Sequence, residues 1–388
     1  MAEVMVLWLS VLTQVSVSGA AEYAVEPSLN IRGEYNDNLF FSALPHQALW
    51  GTWVSPGVKF MATTETLEVS GRASADFVNY YGKSGVEYVN LFFPVTAAYR
   101  TERDVWGLGG TFNRDNTLLT ELRQTGVVNS FTQRNFASVQ PSWTRSLTER
   151  LSFRASYDFM DVTYEDGLRR GLFNYRIHES KVGLSYRLSE SDLIEGTASY
   201  TNFDIPDRAL RSSLGGVLAK ATHQFSEILS GTLVGGARAA STTFPSGGGV
   251  TQTDQNLIPV GSANVEMKLE STVLNGGFSR EVFPSGLGQF VRTDRAFISV
   301  GRELTPTLTA SLTGDLYWVK PVGPPLAFAN SRYYRISPNL RWRLSDWWSL
   351  DATYSYSRFD ADQIGYGALQ NATYVTLSYS GLKIGTSR

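Results

Sequence analysis

The most constraining feature of this sequence is a strict alternation of apolar and polar side chains along residues 333–358. From Tyr334 to Leu344 the even-numbered positions are apolar or aromatic, and the positions between them carry Arg, Ser and Asn. The alternation resumes after the turn at Ser345-Asp346. Successive side chains of a β-strand point to opposite faces, so the pattern predicts a hairpin whose two faces meet different surroundings. A soluble sandwich buries the apolar face against a second sheet, whereas an outer-membrane barrel turns it toward lipid.

Bulk properties exclude several classes of protein. The 388 residues carry a net charge of −2, so the chain lacks the excess of positive charge that is typical of nucleic-acid-binding proteins. Cysteine is absent, which excludes disulfides, thiol catalysis, cysteine-ligated zinc, covalently attached haem and a lipoprotein anchor on this chain. After residue 20 no apolar run approaches the length of a membrane-spanning helix.

Residues 1–20 have the features of an export signal. A mostly apolar run, Val4–Val17, precedes small residues that end at Ala20, and cleavage is predicted after Ala20. The usual basic residues are missing at the start, where Glu3 stands instead. No change of composition divides the remainder, so residues 21–388 are predicted to form one domain.

The connections between the predicted strands fall into two alternating classes. Eight are short turns rich in Ser, Thr, Asp and Glu, and nine are longer and more varied. This alternation is typical of outer-membrane barrels, whose periplasmic turns are short and whose extracellular loops are long. It predicts a transmembrane antiparallel all-β barrel of about 18 strands, with 16 as the next choice and both termini in the periplasm. The predicted longer connections include residues 36–47, 113–130, 243–255 and 284–289.

The alternation also assigns the strand faces. Aromatic residues beside the short turns suit a girdle at one membrane interface; they are Tyr99, Trp143, Tyr186, Trp342 and Trp348. No sustained helical period appears, so a helical plug inside the barrel is not expected. The connection at residues 113–130 is long enough to fold inward as a plug. A soluble propeller would show a repeating blade signature, and none is found.

The opposite face supplies candidate lumen residues. The charged candidates are Arg72, Arg154, Arg187, Arg295, Arg335, Arg341, Arg343, Asp76, Asp158 and Asp315, together with Glu68, Glu195 and Asp351. The aromatic candidates are Tyr80, Tyr88 and Tyr317, together with Phe92. The aromatic rings could stack on sugars and the guanidinium groups could pair with uronate carboxylates. In the alternative interpretation these charges pair with one another and brace the wall.

Catalytic motifs are missing from the sequence. The three histidines, His46, His178 and His223, are far apart, and no GxSxG, HExxH, Walker or dinucleotide motif occurs. The segment Asn36-Asp37-Asn38 suits a turn better than a calcium loop, because its spacing matches no known calcium-binding loop. We therefore predict no enzymatic activity, no metal and no cofactor.

Two segments carry a family resemblance. The opening EPSLNIRGEYNDNLFFS resembles the first strand and loop of the beta-barrel porin-2 family, which includes outer-membrane proteins encoded beside exopolysaccharide genes. Residues 114–122, running on to Gly126, resemble a mid-chain loop of the same group. The resemblance implies a pore for polysaccharide secretion in a Wzx/Wzy-dependent system of a Gram-negative bacterium, and it supplies no catalytic residues.

The leading hypothesis from the sequence is an outer-membrane conduit for exopolysaccharide. Its expected partners are outer-membrane lipid, the polysaccharide and a periplasmic export protein. A general diffusion porin for small solutes is the second hypothesis and a structural barrel that holds a partner protein is the third. An outer-membrane hydrolase comes last.

Overall fold

The computed structural model describes residues 22–42, 46–83, 85–118, 122, 131–208, 210–246, 250–323, 330–362 and 366–387. The predicted signal segment, residues 1–20, lies outside them. No helix among the described residues is long and apolar enough to cross a membrane. The strands are β1 (Glu22–Asn36), β2 (Leu49–Thr63), β3 (Leu67–Tyr81), β4 (Val86–Arg100), β5 (Asp104–Asn116), β6 (Gln133–Ser146), β7 (Leu151–Tyr164), β8 (Tyr175–Arg187), β9 (Asp192–Ile205), β10 (Leu210–Ser226), β11 (Leu229–Ser246), β12 (Val250–Lys268), β13 (Thr272–Ser285), β14 (Gln289–Thr305), β15 (Leu308–Val322), β16 (Ser331–Arg343), β17 (Trp348–Ala361), β18 (Tyr366–Ser380) and β19 (Ile384–Ser387).

The strands form a closed antiparallel barrel. Each of β1 to β17 pairs with the next strand along the chain, and β1 pairs with β18 from Ser28↔Ser380 to Asn36↔Ala372. The predicted 18-strand all-β barrel is thereby confirmed. After β18 the chain resumes its pairing as β19, which lies against Glu22–Val25 of β1. The C-terminal segment therefore extends the wall.

The cross-strand register fixes which side chains share a face. On β4, Leu91 and Phe93 are 39% and 46% exposed, whereas Asn90, which precedes Leu91 and faces the opposite side, is fully buried. At the end with the short turns, Trp106 stacks on Trp143 with ring centroids 5.5 Å apart. Trp348 packs against Tyr379 at 5.0 Å in the same layer. Rings with this placement suit the headgroup layer of a membrane.

Two connections expected to be long loops are mostly strand, so those boundaries were wrong. β11 continues to Ser246 and β12 begins at Val250; likewise β13 continues to Ser285 and β14 begins at Gln289. The strand β5 also extends to Asn116. Threonine favours extended chain, and residues 242–243 and 251–253 of the first connection accordingly pair as strand.

The extracellular part of the β13–β14 hairpin separates from β12 and folds into the lumen, while β14 stays paired with β15 up to Phe290↔Val322. We call residues 281–294 the inward hairpin. Its neighbouring residues Phe290 and Val291 are both 0% exposed. Because adjacent strand residues face opposite sides, both faces of this hairpin are covered by protein. A strand in the barrel wall would leave one of these faces to lipid.

Two apolar clusters hold the inward hairpin, one on each face. On one face, Val282 and Phe290 pack with side chains from β7 to β12, including Phe203. On the other face, Val291 packs with residues of β15 to β18 and with Phe41 of the first loop. Leu287, at the hairpin tip, touches both clusters. The hairpin thus lies across the extracellular end of the lumen.

Candidate functional site

The candidate site is the lumen as the inward hairpin divides it. The carboxylate of Asp294 accepts two hydrogen bonds from Arg280, at 2.6 and 2.9 Å, and so fastens β14 to β13 where β13 leaves the wall. A two-point guanidinium–carboxylate pair fixes orientation as well as distance. The pair therefore holds the base of the inward hairpin.

The tip of the inward hairpin is anchored through its backbone. The Phe173 N–H donates to the Gly286 carbonyl oxygen at 2.7 Å. A Cβ at position 286 would clash with the ring of Tyr164, so only glycine permits this approach. Gly288 turns the chain with a φ of +84°, which non-glycine residues rarely adopt. The tip is thus shaped to fit against β7 and the loop that follows it.

On the side of β6 to β12 lie two large cavities, of about 760 Å³ and 960 Å³. Their wall carries ion pairs: Lys181 lies 2.8 Å from both Asp158 and Glu179. Arg238 lines both cavities, and among the described residues no carboxylate lies within ion-pair distance of it. Arg154 lines the larger cavity and likewise has no acidic partner in the described part of the chain. These free guanidinium groups make that wall attractive to anions.

On the other side of the inward hairpin is a small cavity of about 110 Å³. Arg32 forms an ion pair with Glu34 there, and its guanidinium lies 4.7 Å from the ring centre of Trp53 and 3.8 Å from that of Tyr374. Asn36 donates to Glu34 at 3.1 Å. The Arg32 guanidinium is therefore held by cation–π and ionic contacts with other side chains of the protein.

The cross-strand register places thirteen of the predicted lumen residues on the inner face. Several are paired with one another or with neighbours: Arg295 donates to Asp315 at 2.5 and 3.0 Å, and Arg341 donates to Asp351 at 2.7 Å. Arg335 donates to two serine hydroxyls. The positions that β-pairing places on this face are Arg72, Asp76, Tyr80, Tyr88, Arg154, Asp158, Arg187, Arg295, Asp315, Tyr317, Arg335, Arg341 and Arg343. Their part in binding a solute stays a prediction.

The tyrosine candidates belong to different parts of the lumen. Tyr80 and Tyr88 line the small cavity, and the Tyr80 hydroxyl accepts a 3.3 Å hydrogen bond from Trp53 Nε1. Tyr317 packs with Val291 beneath the inward hairpin. Tyr317 is 2% exposed, so it supports the hairpin and offers little ring surface to a solute.

Neither the roles of Arg32 and Arg238 nor the inward hairpin were predicted from the sequence. A usable signal existed at residues 282–283 and 290–291, where apolar residues are adjacent and the alternation fails. Such a run indicates a strand that is buried on both faces. Of the connection at residues 113–130, which is long enough to have folded inward as a plug, Leu122 belongs to the second cluster and Leu118 packs against it; residues 119–121 and 123–130 lie outside the described part of the chain.

The histidines do not converge. His178 lies near the extracellular end of β8 with its Nδ1 2.6 Å from the Tyr157 hydroxyl, while His223 lies near the periplasmic end of β10, 2.7 Å from Asp192. Within the described residues, no group of three or more His, Asp or Glu side chains could hold a metal ion. The side chain of Asn38 bonds loop and strand backbone, as expected for a turn.

The fold resembles that of known outer-membrane porins. OccAB3 of Acinetobacter baumannii superposes with a TM-score of 0.50 at 10% identity, over 93% of this chain and 99% of that one. OccK7 (OpdD) of Pseudomonas aeruginosa gives 0.49 at 12% identity, over 94% and 99%. OccK2 (OpdF) of the same species, solved with glucuronate, gives 0.48 at 10% identity, over 93% and 98%.

No family model matches the sequence, and no curated protein matches it. The resemblance to exopolysaccharide-associated barrels is therefore not supported beyond the barrel itself. The chain forms a closed 18-strand antiparallel β-barrel, and its fold is similar to that of outer-membrane porins.

Proposed function

We propose that this protein is an outer-membrane channel for small solutes, with its inner width set by the inward hairpin. The observation that carries the proposal is the burial of Phe290 and Val291 on opposite faces of one strand inside the barrel. A barrel of this strand number is otherwise wide enough for an open aqueous channel. The hairpin leaves cavities of small-molecule size, the largest about 960 Å³.

The channel is proposed to favour anions. The wall of β6 to β12 presents Arg154 and Arg238 without carboxylate partners among the described residues, while Lys181 and Lys220 are neutralised by paired acids. Unpaired guanidinium groups raise the local concentration of anions in a narrow cavity. Carboxylates and phosphates are the groups they bind best.

Secretion of exopolysaccharide, the leading hypothesis from the sequence, is the weaker proposal. The similarity to solved structures supports a porin barrel and not the export type. A hydrated polymer would also have to pass the inward hairpin, whose two faces are packed against the wall. The periplasmic export partner and the scaffold role stay predictions.

Planar-bilayer recording tests the proposal. We expect small single channels whose reversal potential in a KCl gradient indicates anion preference. The double variant Arg154→Gln/Arg238→Gln should move the reversal potential toward zero, because it removes two unpaired lumen cations. The control Arg302→Gln removes one positive charge from the outer face near the periplasmic end and should leave the reversal potential unchanged.

Three results would contradict the proposal. The first is cation preference in the natural protein, and the second is a reversal potential that the double variant leaves unchanged. The third is a chromosomal deletion that abolishes surface polysaccharide while small-solute uptake stays normal, which would restore the export hypothesis.

A further inference from the structure

The barrel wall is interrupted between β12 and β13. These strands pair at eight positions only, from Lys268↔Val273 to Gly261↔Arg280. On the extracellular side of Gly261, residues 250–260 of β12 have no partner among the described residues of β13. β12 nevertheless remains paired with β11 along its whole length, and β13 with β14. The wall therefore has a gap, which begins where the inward hairpin leaves it.

Proline stands on both edges of the gap. Pro259 lies two residues above Gly261, the last paired residue of β12, and Pro284 lies on the departing part of β13. Proline has no backbone N–H and is confined to strand edges and bulges. The two prolines thus disfavour renewed pairing at these positions.

The gap opens at the height of the lipid. The paired part of β12 and β13 below the gap is eight residues long. With a rise of about 3.4 Å per residue and a strand tilt of about 40°, the lower end of the gap lies roughly 20 Å above the periplasmic turn. The apolar outer band of such barrels is about 25 Å tall. Leu257, beside the gap, is 75% exposed on the outer face. The lower part of the gap therefore borders the outer leaflet.

The gap leads into the cavity of about 760 Å³. Residues from both edges line that cavity, Val260 and Gly261 from β12 and Arg280 and Val282 from β13. Deeper inside, its lining includes Phe136, Met160, Ile177, Leu214 and Leu218. Arg238, which has no carboxylate partner among the described residues, completes it. The cavity thus combines an apolar part with one unpaired cation; Glu281 also lines it and has no ion-pair partner among the described residues.

We propose that this gap is a lateral opening, through which an amphipathic carboxylate moves between the cavity and the outer leaflet. The apolar chamber takes the hydrocarbon part, and Arg238 binds the carboxylate. Burial of the chain in the apolar chamber contributes the affinity, and the guanidinium fixes its direction. This route differs from axial passage of small anions in its exit through the wall, although both routes use residues that line the two cavities, Arg238 among them.

Disulfide cross-linking tests the opening directly, because the chain has no native cysteine. The test pair is Pro259→Cys with Val282→Cys. These two positions would face each other if the β12–β13 ladder continued in register, but in the structure Val282 packs inside the lumen. The control pair, Ala263→Cys with Phe278→Cys, lies in the intact ladder of the same hairpin. Strand partners are within disulfide reach, so we expect the control pair to oxidise at least tenfold faster. Equal rates would overturn the lateral opening.

Binding of dodecanoate to the protein in nanodiscs tests the ligand class. We expect saturable binding that Arg238→Gln weakens at least tenfold and Arg302→Gln leaves unchanged. Absence of saturable binding, or equal binding by the natural protein and Arg238→Gln, would overturn the assignment. KCl conductance measured on the same samples reports the small-solute channel independently, so the two proposals can fail separately.

Discussion

Replacing Phe290 by alanine should release the inward hairpin and open the channel. The Phe290 side chain is completely buried, and its ring lies 5.2 Å from that of Phe203 on the facing wall. The substitution removes the Phe290 ring from the apolar cluster on one face of the hairpin, where Val282 and Leu287 remain. The rest of the barrel keeps its hydrogen-bonded ladder, so the expected change is local.

The size of the effect follows from the burial. Truncating a fully buried phenylalanine to alanine costs about 3–5 kcal/mol. Every 1.4 kcal/mol is about tenfold in an equilibrium constant, so the ratio of docked to released hairpin should fall roughly 10²- to 10³-fold. Contacts of Val291 on the other face remain and oppose complete release.

Single-channel recording is the assay. We expect Phe290→Ala to show more frequent and longer openings to a larger conductance than the natural protein. Phe278→Ala is the matched control, since Phe278 belongs to the same strand pair but is 44% exposed on the outer face. Its current should match that of the natural protein.

The role of the hairpin as a constriction would be refuted if Phe290→Ala left the conductance and the opening frequency unchanged. Resistance of the variant barrel to SDS at room temperature would show that it is still folded. Equal changes in both variants would also refute that role, because a general loosening of the barrel would then explain the openings.

Three further substitutions test separate parts of the structure. Asp294→Asn should weaken the bond to Arg280 by about 1.5–3 kcal/mol and make the hairpin tip sensitive to limited proteolysis; a tip as resistant as in the natural protein would contradict this. Gly286→Val should push the tip away from Tyr164 and raise conductance, and an unchanged current would show that the tip is not seated there. Asn38→Ala removes bonds that join the first loop to β18 and should cost about 1–3 kcal/mol, measured as faster amide exchange in that loop; unaltered exchange would exclude the anchoring role.

Strand positions and faces could be predicted because lipid and lumen impose opposite polarity on alternate residues. The hairpin around residues 333–358 pairs in the expected register, with Arg335 opposite Ser357 and Arg341 opposite Asp351 on the inner face. The short connections could be predicted because Ser, Thr, Asp and Glu form hydrogen bonds with the backbone of their own turns. Both signals depend only on residues near one another in the chain.

The division of the lumen could not be predicted in the same way. The contact of Phe290 with Phe203 joins strands far apart in sequence, and neither segment alone reveals the other. The failure of alternation at residues 282–283 and 290–291 indicates double-sided burial but not what covers each face. Whether a lumen arginine is paired also depends on the residues of the neighbouring strands. Arg341 pairs with Asp351, whereas Arg238 has no carboxylate partner among the described residues.

Closure of the wall by β1 and β18 has a consequence for folding. The Asn38 side chain reaches Leu369, 331 positions along the chain, and the strand pairing beside it spans a comparable separation. The entropy of bringing such distant segments together must be lost before the seam gains any hydrogen bond. Until then every intermediate carries two unpaired strand edges, which invite aggregation. Membrane insertion of this chain should therefore depend on factors that shield those edges, and its slowest step should be the sealing of that last seam.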